Sequence, residues 1–229
     1  MKSIFVFVYL TIHTAGTLWA QQENHVFHYP LNVGDLWEYR RSPGFLVTRE
    51  VIGDTMLANG KSYRILKEVA PEGTSTFFQR VSDSSEVFQF YERLERPNQH
   101  VPDEFLLYKL DIQIGDSWKF PIFPTGDDSM TFQVVQLADT TLFSKTLKFA
   151  NLFVPEGFQM NLFIADSIGI FVEESEGQRS ELQGAIIDNQ QFGIITSVRS
   201  INNSPRENND FFSTTIPIHS TVRQQLSTG

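Results

Sequence analysis

The sequence has no cysteine in 229 residues. That excludes a disulfide framework, thiol catalysis and thiolate metal sites. Histidine is scarce, with five copies. The 14 glycines form no Gly-x-Ser-x-Gly elbow and no phosphate-cradling loop. There is no His-Glu-x-x-His and no EF-hand loop either, so the common hydrolase, zinc and calcium signatures are missing. Basic residues are the minority, 18 against 27 acidic. Nucleic acid and anionic membranes call for clustered positive charge, so neither is an expected partner. No apolar run approaches the roughly 20 residues of a membrane-spanning helix.

What is present begins with a leader. Residues 1–20, MKSIFVFVYLTIHTAGTLWA, run from one Lys through an apolar stretch, Ile4 to Ile12, to small residues and Ala20. This order predicts a secretory signal peptide cut after Ala20. Gln21, not Cys, comes next, so no lipid anchor is expected. The expected mature chain has 209 residues, 17 basic and 27 acidic, for a net charge of −10. An exported chain of this size without disulfides points to a bacterial envelope or secreted protein. Its expected location is extracellular or at the cell surface, with the periplasm as the alternative.

Phenylalanine is abundant, at 21 copies. Many lie in alternating or β-branched company, as in MTFQVVQL, STFFQRV and EVFQFYE. Such alternation builds strands with one buried face. VPDEFLLYKL is the best helical candidate, yet it reads as a strand because of its place in a larger repeating pattern.

That pattern is an echo. LNVGDLWEY is answered by IQIGDSWKF, GDTMLANGKSYRI by ADTTLFSKTLKF, and DSSEVF by DSIGIF. The three echoes keep their order at offsets of 81, 85 and 83 residues, which predicts an internal repeat of roughly 80 residues. FLLYKL (105–110) set against LQGAII (182–187) is a fainter fourth. Each copy reads as a meander that begins at the Trp, turns after Asp-Thr, and closes on an apolar strand. Asn59-Gly60 is a strong hairpin signal. The expected fold is all-β, an antiparallel sandwich or incompletely closed barrel built from two such repeats. The expected halves are residues 26–109 and 110–200, with a polar tail over 201–229.

Gly34 and Gly115 suit tight turns, and Asp35 and Asp116 suit acceptors for the backbone N–H groups just beyond. Trp37 and Trp118 then fall on inward positions, with Tyr39 and Phe120 on the same faces two residues on. These four are the candidate binding residues, as an aromatic platform for a sugar or apolar ligand. The favoured reading is that they plug the core, since large aromatics supply most of a core's apolar area. Asp127 and Asp128, in TGDDS, are a candidate Ca²⁺ site, with a solvated turn as the favoured reading, because Ca²⁺ needs six or more oxygens. His25 and His28 form a His-x-x-His on an extended segment, weighed as a metal pair and set behind two chain-start histidines. EESEGQRSE (173–181) reads as a hairpin tip with Glu173, Glu174 and Glu176 in solvent.

YPLNVGDLWEY, VIGDTMLANGKSYRIL, LLYKLDIQIGDSW and ADSIGIF…ELQGAIIDNQQFG together resemble a loose group of uncharacterised secreted β-proteins from Bacteroidetes-like and Ignavibacteria-like bacteria. Their halves open with a Tyr-Pro-Leu-x-x-Gly-x-x-Trp phrase. The resemblance covers about residues 28 to 195, and its motifs are structural; it implies no activity. Members of that group often end in a type IX secretion sorting domain. NNDFFSTTIPI (208–218) is similar to its start through Asn209, Phe211, Ser213, Thr214, Thr215 and Ile216, with Asp210 where Pro is usual. Such a domain would be truncated here.

Two functions stand as expectations. The first is an exported, non-catalytic β-domain with a display or binding role. The second is a binder of an apolar small molecule, a lipid or acyl chain, in a Phe-rich half-barrel cavity. The partner classes are a protein, a glycan or that apolar molecule. A glycan hydrolase working through a carboxylate pair ranks third.

Overall fold

The computed structural model describes residues 25–96, 99–121, 129–155 and 159–197. The predicted leader, the tail, and Asp127 with Asp128 lie outside them. Every described element is a strand. The chain forms one nearly closed, twelve-strand antiparallel barrel-like sheet with a two-stranded sheet beside it.

The strands fall into two matching series. A short β1 (His25–Val26) precedes β2 (Leu36–Arg41), β3 (Phe45–Met56), β4 (Ser62–Ala70), β5 (Gly73–Val81), β6 (Glu86–Arg96) and β7 (Gln99–Lys109). A short β8 (Asp111–Ile112) likewise precedes β9 (Ser117–Pro121), β10 (Ser129–Leu142), β11 (Lys145–Val154), β12 (Met160–Ala165), β13 (Gly169–Ser175) and β14 (Gln178–Ile187). β15 (Gln190–Gly193) is extra and pairs with β14. The stretch that could have been a helix is β7. Each series is a meander of nearest-neighbour hairpins. The two join where β2 pairs with β14, from Leu36↔Ile186 to Arg41↔Ser180, so the halves make one continuous sheet. At the other junction β7 and β9 come close without a ladder, and the barrel stays unsealed there. β1 and β8 pair with each other.

The Gly-Asp turns match bond for bond. Gly34 and Gly115 take φ of +97° and +94°, a region open to glycine at little cost. The Gly34 amide donates to Val51 O at 2.8 Å and the Gly115 amide to Val134 O at 2.8 Å. Asp35 Oδ2 accepts from the Asn32 amide at 2.7 Å, and Asp116 Oδ2 from the Gln113 amide at 3.0 Å. These donors lie three residues before each Asp rather than after it, because the chain curls back over the turn before entering the strand. Matched bulges interrupt β3 between Val51 and Gly53 and β10 between Val134 and Gln136. An extra residue reverses the facing of the residues beyond it. Ile52 and Val135 are accordingly exposed although both are β-branched.

The turn between β3 and β4 departs from the expectation in detail. Only Gly60 has a positive φ, +75°, and the loop closes with the Leu57 amide on Lys61 O. Its counterpart is a two-residue turn in which Phe143 and Ser144 are both left-handed, at φ 50° and 65°.

The packed part of the interior is apolar. Phe132 stacks on Phe120, centroids 4.3 Å apart, with Trp118 at 5.7 Å and Tyr108 at 6.3 Å. Burying one such side chain stabilises the fold by roughly 1.5–3 kcal/mol. One end of the barrel is covered by residues 27–31. Phe27, Tyr29 and Leu31 are buried, the Phe27 amide donates to Leu110 O at 2.8 Å, and His28 O accepts from the Ser167 amide at 2.9 Å. The opposite end carries the turns at 42–44, 71–72 and 176–177.

Candidate functional site

Trp37, Tyr39 and Trp118 are buried and Phe120 is partly buried. Each indole N–H meets a carbonyl that the sheet has left without a partner. β14 pairs with β13 only over residues 178–181; further on, β15 takes that edge. The carbonyls of residues 168 and 170 are thereby released. Trp37 Nε1 donates to Ile168 O at 2.7 Å and Tyr39 Oη to Ile170 O at 3.0 Å. Leu107 is the extra residue of a bulge in β7, and Trp118 Nε1 donates to its carbonyl at 3.1 Å. A buried carbonyl without a partner costs about 1–3 kcal/mol. These aromatics are thus occupied inside the barrel. Phe120 also lines a cavity.

His25 and His28 do not converge on one point. The His25 ring meets Asp166 Oδ2 at 3.3 Å, while His28 uses its backbone amide on Asp166 Oδ1 at 2.8 Å. Among the described residues no group of three or more His, Asp or Glu could hold a metal ion.

The cavity lies inside the barrel at the end away from residues 27–31. Its volume is about 380 Å³, and both halves line it. Its apolar lining is Phe77, Leu107, Phe120, Phe132, Met160, Leu162 and Ile170; its polar lining is Arg49, Glu68, Ser75, Gln79, Gln89, Tyr108 and Glu173. Inward alternation on β3, β4, β5 and β13 puts these side chains there. Arg49 grips Glu68 Oε2 through Nε at 3.2 Å and Nη2 at 2.7 Å, and Arg41 reaches Glu68 Oε1 at 3.5 Å. The Arg49 guanidinium also lies 5.1 Å from the Phe77 ring centre and 5.7 Å from that of Tyr39, within cation–π range. Burial pushes the Tyr29 hydroxyl up to about 12, against the pull of Arg49. Burial raises Tyr39 and Tyr108 as well. All three phenols stay protonated at neutral pH.

Glu173 is half-buried rather than in solvent. It lies a few residues into the strand from the Glu176-Gly177 tip, and the pleat turns it into the lumen, whereas Glu174 points outward and pairs with Arg179. Gln79 is the second residue that spacing did not disclose. It is only 3% exposed. Its Nε2 donates to Gln89 Oε1 at 3.1 Å, and its Oε1 has no partner.

A second depression of about 420 Å³ lies outside, between residues 28–32 and β3–β5. Its ionic groups satisfy one another. Arg80 binds Glu104 through Nε at 2.8 Å and Nη2 at 2.6 Å, Lys61 binds the same carboxylate, and Tyr63 Oη donates to it at 2.5 Å. Arg64 meets Asp54 at 3.3 Å. The lumen differs in holding a buried acceptor with nothing to accept.

The chain matches no family model, no curated protein and no solved structure.

Proposed function

We propose that this is an exported, non-catalytic binding protein whose barrel lumen receives a small molecule. The observation that carries the reading is the cavity of about 380 Å³ between the halves, lined by apolar and polar side chains together. Ligand pockets run from roughly 300 to 1,000 Å³ and combine apolar walls with a few placed polar groups. The lining suits an amphipathic molecule better than a bare hydrocarbon, because an acyl chain alone would leave Arg49, Glu68 and Gln79 facing it. Catalysis finds less support. Glu68, one of the two lumen carboxylates, has its oxygens engaged by Arg49 and Arg41. Export rests on the composition of residues 1–20, with an extracellular or surface location preferred to the periplasm. The three ordered echoes and the matching turn hydrogen bonds support descent of the two halves from one duplicated unit, as in the secreted β-proteins the sequence resembles. A display role through a protein partner has a narrower basis, the exposed Phe45 and Leu46 at the tip between β2 and β3. Two residues make a small apolar patch.

The test is native mass spectrometry of the purified mature protein before and after organic extraction, with titration of a fluorescent fatty acid. Wild type should bind the reporter, and a folded Leu162→Trp variant, with the lumen filled, should not. No co-purifying molecule and no reporter binding would overturn the proposal. So would hydrolase turnover abolished by a single substitution.

A further inference from the structure

We infer that the lumen selects a hydrogen-bond-donating cation, a small organic amine with an apolar or aromatic body; this rests on the lumen being the binding site. One acceptor lining the cavity has no donor of its own, and a second lies buried in the wall. Gln79 Oε1 is buried in the wall, and its Nε2 donates to Gln89 Oε1. The Glu173 carboxylate lines the same space and has no ion pair or hydrogen bond among the described residues. An occupant that supplied no donor would leave the half-buried Glu173 carboxylate unpaired, which binding sites avoid. The positive charge already present does not favour an anion, because Arg49 is held by Glu68 on one side and by two aromatic rings on others. Glu68 sits between Arg49 and Arg41, and Glu173 is the charged group lining the cavity that has no ion pair among the described residues; it calls for a cation. An ammonium group carries three donors and no acceptor. The Phe120 and Phe132 rings, stacked on each other, together with Tyr108, give the body of the molecule an aromatic wall, and aromatic faces attract cations as well.

The test uses three compounds of one size on the mature protein, followed by calorimetry: 2-phenylethylamine, 2-phenylethanol and phenylacetate. The amine should bind wild type at least fivefold tighter than either of the others, and Glu173→Gln should weaken the amine at least fivefold while leaving the alcohol unchanged. Glu173 has no hydrogen-bond or ion-pair partner among the described residues, so this variant should keep the wild-type circular dichroism spectrum, and the compound series needs no variant at all. A preference below fivefold, or tighter binding of phenylacetate, overturns the inference. If none of the three binds while the fluorescent fatty acid still occupies the lumen, the amine selectivity falls and the binding role stands. If the fatty acid fails as well, the binding role falls with it.

Discussion

Replacing Glu38 by Gln should detach residues 194–197 from the barrel wall. Glu38 is fully buried on the outer face of β2. Its Oε1 accepts from the Thr196 amide at 3.0 Å and the Thr196 hydroxyl at 2.7 Å; its Oε2 accepts from the Ser197 amide at 2.6 Å. All three partners are donors. Glutamine turns one oxygen into an NH₂ group, so a donor must then face a donor. At least one charge-assisted bond is lost and one buried donor is stranded, a cost of about 2–4 kcal/mol. The loss is local first, because residues 194–197 can lift away and let water reach the amide. Burial by itself raises the Glu38 pKa, but the bonds from Thr196 and Ser197 outweigh it and the net shift is downward. A lowered folded pKa means that the stabilisation is complete above the unfolded value and is lost as pH falls through the folded one. Amide hydrogen exchange at Thr196 and Ser197 is the assay. Wild type should lose protection at these amides on acidification; Glu38→Gln should be unprotected from neutral pH downward. Thr196→Val, which removes only the hydroxyl, should cost about 1 kcal/mol. Equal protection in wild type and Glu38→Gln at neutral pH would refute the reasoning.

Tyr39→Phe removes one hydroxyl and leaves Ile170 O without its donor; urea denaturation should show a loss of about 1–3 kcal/mol with an unchanged slope. Gly184→Ala would put a methyl group 2.5 Å from Ile194 O and 2.8 Å from Ile194 N, so denaturation should register about 1–3 kcal/mol of overpacking and the Ile194 amide should lose protection. Burial tends to raise the Glu104 pKa, yet the bonds from Arg80, Lys61 and Tyr63 hold it at about 2. Its stabilisation is therefore present above the ordinary value of 4.5 and fades as pH falls toward 2; Glu104→Gln should flatten that acid limb in thermal melts and lower the melting temperature at neutral pH.

The strand series is legible in the sequence because its causes are local. Alternation along MTFQVVQL, the Gly-Asp turns, Asn59-Gly60 and the ordered echoes each depend on short stretches of chain. They give strand type, order and the inward facing of Trp37 and Trp118. The same locality explains the errors of detail. Asp35 and Asp116 bind amides on the near side of their turns, and Glu173 reads as part of a wet tip because nothing beside it marks the pleat's direction. Spacing could not find the lumen. Gln79 and Glu173 are 94 residues apart and are brought to one cavity only when β2 and β14 join the halves. Nor does any neighbour of Glu38 announce that its partners lie 158 and 159 residues away. Local sequence determined which segments are strands and which faces they bury. Tertiary structure alone decided that the sheet curls almost shut, which carbonyls the aromatics must satisfy, and which acceptors remain open inside, because hydrogen bonding across the barrel is set by closure and not by chain order.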